Sequence, residues 1–144
     1  MSFDPDRLAR ALLADMPDAL IVADAAGAIQ FWNAGAERLF GFTRAEAIGQ
    51  SLDIIIPERL RARHWSGFEA TMRTGRSRYG AGEILSVPAL GKDGARLSVE
   101  FTIIPLHDAA GAMEGIAAIM RDATTRFEQV RALQKEVAAL KAGG

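Results

Sequence analysis

The chain holds two histidines and no cysteine, so side-chain chemistry with metals narrows to His64 and His107. His64 lies in PERLRARHWSGFEATMRTG, residues 57–75, where the period is helical. Pro57 suits a first helical position there and Gly75 a C-terminal cap. At about 100° per residue, Leu60, His64, Phe68 and Met72 share one face, with Gly67 and Thr71 beside them. Glu58, Arg59, Arg63, Ser66, Glu69 and Arg73 fall on the other side and meet water. A neutral imidazole on an apolar face must satisfy its nitrogens. Glycine inside a helix costs about 1 kcal/mol relative to alanine, so Gly67 asks for something that approaches closely. Two readings meet both needs. In one, His64 bonds a backbone carbonyl in the core and Gly67 admits a neighbouring strand. In the other, His64 ligates iron and Gly67 leaves room for a flat macrocycle.

Composition removes most competitors. Without cysteine there are no disulfides, thiolate zinc sites or cysteine nucleophiles, and two histidines cannot build a multi-histidine cage. No P-loop, G-x-S-x-G or H-E-x-x-H pattern occurs, and Gly80-Ala81-Gly82 is too short for a dinucleotide fingerprint. A small enzyme with His64 as base would need a second catalytic group, and none accompanies it. The chain therefore reads as a non-enzyme. A net charge of −1 gives no electrostatic footprint for nucleic acid. No apolar run of about 18 residues exists to span a membrane. The opening MSFDPDRLAR has neither a basic leader nor an apolar core, so a cytoplasmic location is expected. With 144 residues, 49% of them apolar, one domain with one core is expected.

The elements that must position His64 follow from the same patterns. Residues 1–16 form an N-terminal helix segment in which Leu8, Leu12 and Met16 make a stripe that Pro17 ends. ALIVAD and AIQFWN read as a hairpin around Ala25-Ala26-Gly27. Asn33 caps a short helix, AGAERLF, stopped by Gly41, and Thr43 with Glu46 makes a capping box for a second one. LDIIIP is too small to be an independent element. GEILSVPAL and ARLSVEFTIIPL flank a Lys92-Asp93-Gly94 turn, and AMEGIAAIMRD is the last strand. His107 falls in the preceding turn and reads as a solvated surface residue. The core spans 17–122. Residues 123–144 form a C-terminal helix whose Val130, Leu133, Val137 and Leu140 repeat as the seam of two coiled-coil heptads. Two heptads are too few to pair alone, so a homodimer helped by the N-terminal helix is expected.

This order of elements resembles the PAS domain. WNAGAERLFG (Trp32 to Gly41), Ala47-Ile48-Gly49, Lys92-Asp93-Gly94 and IMRDAT (Ile119 to Thr124) fall where that family carries its motifs. The resemblance covers about residues 10–125 and implies an α+β fold: a five-stranded antiparallel sheet in order 2-1-5-4-3 with helices on one face. Within the family, AERLFG, Glu46 to Gln50 and the register of Arg63-His64 are similar to the heme-binding FixL oxygen sensors. The direct-oxygen-sensor phosphodiesterases carry their proximal histidine at the same point. The resemblance thus implies heme b, with His64 as the iron ligand, and sensing of a diatomic gas or of redox state. Signals would pass through the terminal helices to a separate partner such as a kinase or cyclase.

Two departures from those sensors bear on the gas. Glu83 stands where FixL proteins place a distal arginine, and Gly82 where the phosphodiesterase sensors place a methionine ligand. Polar help would fall to Arg76, Arg78 or Tyr79. The distal wall would otherwise be Ile84, Leu85, Phe101 and Ile103, with Leu60, Gly67 and Phe68 on the proximal side. NO, CO or redox sensing is then as compatible as oxygen. Cysteinyl flavin and coumarate chromophores are excluded, whereas a noncovalent flavin could use Trp32, Asn33 and Trp65. The alternative is a heme-free PAS module for dimerisation or for a small apolar ligand.

Overall fold

The structure, a computed structural model, describes residues 2–76 and 83–143. Helix α1 (Pro5–Asp15) begins where the Asp4 side chain accepts from the Asp6 N–H, with Pro5 in the first turn. Strands β1 (Ala19–Asp24) and β2 (Ile29–Trp32) form the expected hairpin, and the Asp24 carboxylate ties its turn by accepting from Ala26 and Ala28 N–H at 3.0 Å each. Asn33 caps α2 (Ala34–Phe40), which Gly41 ends in the left-handed conformation. Thr43 and Glu46 make both reciprocal bonds of a capping box at α3 (Arg44–Ala47).

The next stretch departs from expectation. LDII is a single 3-10 turn (Leu52–Ile55) capped by Ser51, and a second such turn (Glu58–Leu60) follows Pro57. Pro57 is therefore not the first residue of the long helix; α4 runs Arg61–Thr74. The reason lies in local bonding. Leu60 N–H closes on Pro57 O at 2.8 Å, an i to i+3 bond, while Arg61 Nε donates to Ile56 O at 3.1 Å and tightens the entry. Gly75 caps α4 as expected, in the left-handed conformation.

Strands β3 (Leu85–Leu90), β4 (Arg96–His107) and β5 (Met113–Asp122) are antiparallel, and α5 (Thr124–Gly143) leaves the sheet. The sheet order is β2-β1-β5-β4-β3. His107 closes β4 rather than lying in the turn beyond it, and is exposed as expected.

Register places the rows of the sheet. Ala19, Met120, Phe101 and Leu85 are mutually opposite across four strands, and Ile21, Ala118 and Ile103 form the adjacent row. Ala19, Ile21 and Phe101 pack with Ala36 and Phe40 of α2 and with Trp65, Phe68 and Met72 of α4, so these rows lie on the helix-covered face. The centre of the core is Trp32, Phe40, Ile21, Ile29 and Val99. Trp32 Nε1 donates to Phe42 O at 2.9 Å, and Asn33 spends its amide on backbone groups. Both are thereby removed as flavin contacts. Trp32 is 1% exposed and cannot reach a ligand without opening the core.

Candidate functional site

Helix α4 carries the histidine into the fold. Of the stripe read as buried, only Phe68 is fully so; Leu60, His64 and Met72 are half-buried along the edge of the core. The helix keeps a solvated face at Arg63, Ser66, Glu69 and Arg73, which sets its rotation and turns His64 inward.

The imidazole of His64 sits in an aromatic corner. Its ring meets the edge of Trp65 at 4.7 Å between centroids and lies tilted against Phe68 at 6.0 Å, and Trp65 in turn meets Phe68 at 5.2 Å. Its Nδ1 is buried and has no hydrogen-bond partner. The reading in which His64 bonds a backbone carbonyl through that nitrogen therefore fails. Burial pushes the His64 pKa down, and the nearby Asp53 charge opposes that more weakly. A neutral imidazole with a free lone pair is the form that ligates metal.

Gly67 does not admit a strand. A Cβ built there meets nothing within 4 Å, and the residue is exposed, so the helix is open on that side. No atom among the described residues therefore makes the close approach that the sequence suggested at Gly67.

On the sheet, Leu85, Phe101 and Ile103 lie on the helix-covered face and are half-buried. Phe101 packs against the core itself. Ile84 precedes β3 and is 66% exposed, so it forms no wall with the other three. Tyr79, like Arg78 and Gly82, lies outside the described residues. Arg76 is exposed and donates its backbone N–H to Thr74 Oγ1 at 3.3 Å.

Asp53 and Arg61, which sequence reasoning passes over, complete the corner. Trp65 Nε1 donates to Asp53 Oδ1 at 2.7 Å, and Arg61 reaches the same segment by donating to Asp53 O at 3.3 Å. The Trp65 ring lies on Gly27 in the β1–β2 turn, where a Cβ would fall 2.2 Å from the indole. Only glycine fits beneath that ring, and its φ of +84° is also one that L side chains rarely adopt.

The donor set suits a heme iron held by one protein ligand. A single imidazole has a buried nitrogen without a partner, the helix beside it is open, and apolar side chains stand on the facing sheet. Among the described residues no cluster of three or more His, Asp or Glu could hold a bare metal ion.

Comparison with known proteins identifies the fold. The model of the PAS fold matches residues 13–128. Sensor protein FixL of Bradyrhizobium diazoefficiens is 34% identical over 131 residues, 88% of this chain and 24% of the relative. Oxygen sensor protein DosP of Escherichia coli is 30% identical over 101 residues, 70% of this chain and 12% of the relative. The chain thus spans less than a quarter of the length of these curated relatives. Among solved structures, a PAS domain from Colwellia psychrerythraea superposes with a TM-score of 0.74 at 24% identity, over 85% of this chain and 99% of that one. That likeness is one of fold.

Proposed function

This chain belongs to the PAS family of sensory domains, and we propose that it holds heme b through His64 and senses a diatomic gas or redox state. The observation that carries the reading is the His64 imidazole, whose buried Nδ1 is unpartnered, one turn of α4 from an open Gly67. The similarity to proteins named as a sensor and an oxygen sensor supports it.

Heme iron, when bound, supplies a site for a diatomic ligand or for a one-electron change. The protein's part is to hold and shield it. His64 offers the axial nitrogen. Leu60 and Phe68 support the imidazole along α4, while Leu85, Phe101 and Ile103 present apolar surface from the sheet, which keeps water off the site. Glu83, where the FixL sensors have arginine, accepts but does not donate hydrogen bonds when ionised, so NO, CO or redox sensing is as compatible with this chain as oxygen. Ile84, 66% exposed, adds no wall to that surface, and Tyr79 is the polar candidate nearest to Glu83 in sequence.

Output follows the sheet. β5 pairs with both β1 and β4 and runs directly into α5, so a shift at the pocket floor moves the exit helix. We read the signalling unit as a homodimer joined by its terminal helices, acting on a kinase or cyclase as partner. No helix among the described residues is long and apolar enough to cross a membrane.

The test is the colour of the purified protein. Produced with heme available, the parent should show a Soret band, and His64→Ala should lose it or regain it only with added imidazole. An unchanged Soret spectrum in His64→Ala sinks the ligand assignment. A colourless but folded parent favours the alternative, a heme-free PAS module for dimerisation or a small apolar ligand.

A further inference from the structure

Successive residues of an α-helix point about 100° apart, so the rings of positions i and i+1 do not ordinarily meet. His64 and Trp65 are such neighbours, yet their rings touch edge to face, 83° apart, at 4.7 Å. Something must hold the indole back against its neighbour. The contacts around Trp65 supply it. Its Nε1–H is fixed by Asp53 Oδ1 at 2.7 Å, and its six-membered ring is seated on Gly27.

Asp53 is itself held firmly. Its backbone N–H is capped by Ser51 Oγ at 3.1 Å, its carbonyl accepts from Arg61 Nη2 at 3.3 Å, and its carboxylate lies 3.9 Å from Arg61 Nε. Arg61 and Trp65 are one turn apart on α4, so the 3-10 segment grips the helix at two successive turns just where His64 projects. The seat on the other side is equally fixed. Leu52 N–H bonds Gly27 O at 3.1 Å, which ties the β1–β2 turn to the segment carrying Asp53.

We propose that Asp53 is a positioning residue for His64: its carboxylate fixes the Trp65 indole over Gly27, and the indole edge sets the plane of the imidazole. The role rests on the reading of His64 as an axial ligand, and it adds what orients that ligand. No protein atom among the described residues bonds the His64 Nδ1, so the ring plane is set on that side by packing against a hydrogen-bonded indole.

The experiment reads the ring directly. Long-range proton–nitrogen NMR spectra of the ligand-free full chain report both histidines, and His107, exposed at the end of β4, is the internal reference. Asp53→Ala should move the His64 ring resonances and leave those of His107 in place. Asp53→Asn keeps an oxygen that accepts from the indole and should restore the parent spectrum. Trp65→Phe should move His64 as Asp53→Ala does, and adding Asp53→Ala to it should change nothing further. Hemin titration gives the second readout, with affinity about tenfold or more weaker in Asp53→Ala and recovered in Asp53→Asn. Should Asp53→Ala fail to fold, Trp65→Phe and Asp53→Asn carry the same comparison. His64 resonances that stay put in Asp53→Ala and in Trp65→Phe overturn the positioning role. A parent that takes up no hemin overturns the heme reading instead, and the ring resonances still decide what Asp53 does.

Discussion

The side-chain oxygen of Asn33 accepts the backbone N–H of Leu20 at 2.8 Å, joining the end of the first hairpin to its opening strand. The same oxygen caps α2 by accepting from Ala36 N–H at 2.9 Å, and the amide nitrogen donates to Asp18 O at 3.0 Å. One buried side chain thus serves a strand, a helix start and the loop before β1. Asn33→Ala should destabilise the domain by about 2–4 kcal/mol, because each orphaned buried backbone group adds to the loss of a helix cap. Asn33→Asp keeps both acceptor bonds but loses the donor, so it should fall between the two. Urea unfolding measures this, and an Asn33→Ala midpoint equal to the parent's would refute the role.

Local chemistry of this kind is what a sequence states most openly. The Thr43–Glu46 capping box and the Gly41 and Gly75 stops each depend on neighbours a few positions away, and each appears as read. The Trp65–Asp53 bond spans twelve positions and the Trp65–Gly27 seat spans more, so neither leaves a periodic trace. Gly27 looks like any hairpin glycine until the indole is placed over it. Ile84 fails as a pocket wall for a related reason. The alternation that assigns faces starts at Leu85, and the residue before a strand has no face to inherit.

Acid should reveal a clasp between the small helices and the β3–β4 turn. Lys92 donates from its ammonium to Glu46, whose carboxyl is lowered from the ordinary 4.5 to about 2, first by that bond and then by the Thr43 N–H. A carboxyl held below its unfolded value stabilises the fold above about 4.5, and that contribution fades as pH falls toward 2. The pair is solvated, so the effect is small and weakened by salt. Stability of the parent and of Glu46→Gln should therefore differ at neutral pH and converge toward pH 2. A difference that persists unchanged into that acid range contradicts the assignment.

Gly67 offers a sign test between a ligand surface and an ordinary helix position. Nothing lies within 4 Å of a Cβ placed there, so Gly67→Ala in the ligand-free protein should raise stability by about 0.5–1 kcal/mol through helix propensity alone. Gly67→Leu should fold as well, since it meets no protein atom, and yet block a flat ligand that lies on this face. Denaturation curves paired with hemin titrations read both halves. Full hemin occupancy in Gly67→Leu would show that the macrocycle does not approach here.

The terminal helices carry apolar surface that this chain alone does not cover. None of the residues of α1 or α5 is buried; Leu8, Leu12 and Leu13 are exposed on one helix, and Val130, Leu133, Val137 and Leu140 on the other, with Leu140 76% exposed. The sheet face turned away from α4 adds Ile104, at 49%, opposite Ala117 and Val22. Burying a leucine of this kind stabilises by about 1.5–3 kcal/mol, and stripes of such residues mark an interface. A second copy of the same chain supplies matching stripes about a two-fold axis, with the two α5 seams facing each other. The full chain should therefore be a dimer by light scattering, and one ending at Asp122 should be a monomer or a much weaker dimer. Leu133→Glu with Val137→Glu should split the full-length dimer without lowering the stability of the sheet domain, because those side chains touch nothing in their own fold that is buried. A full chain that stays monomeric at high micromolar concentration refutes the dimer, and α5 is then a connector whose partner is another protein.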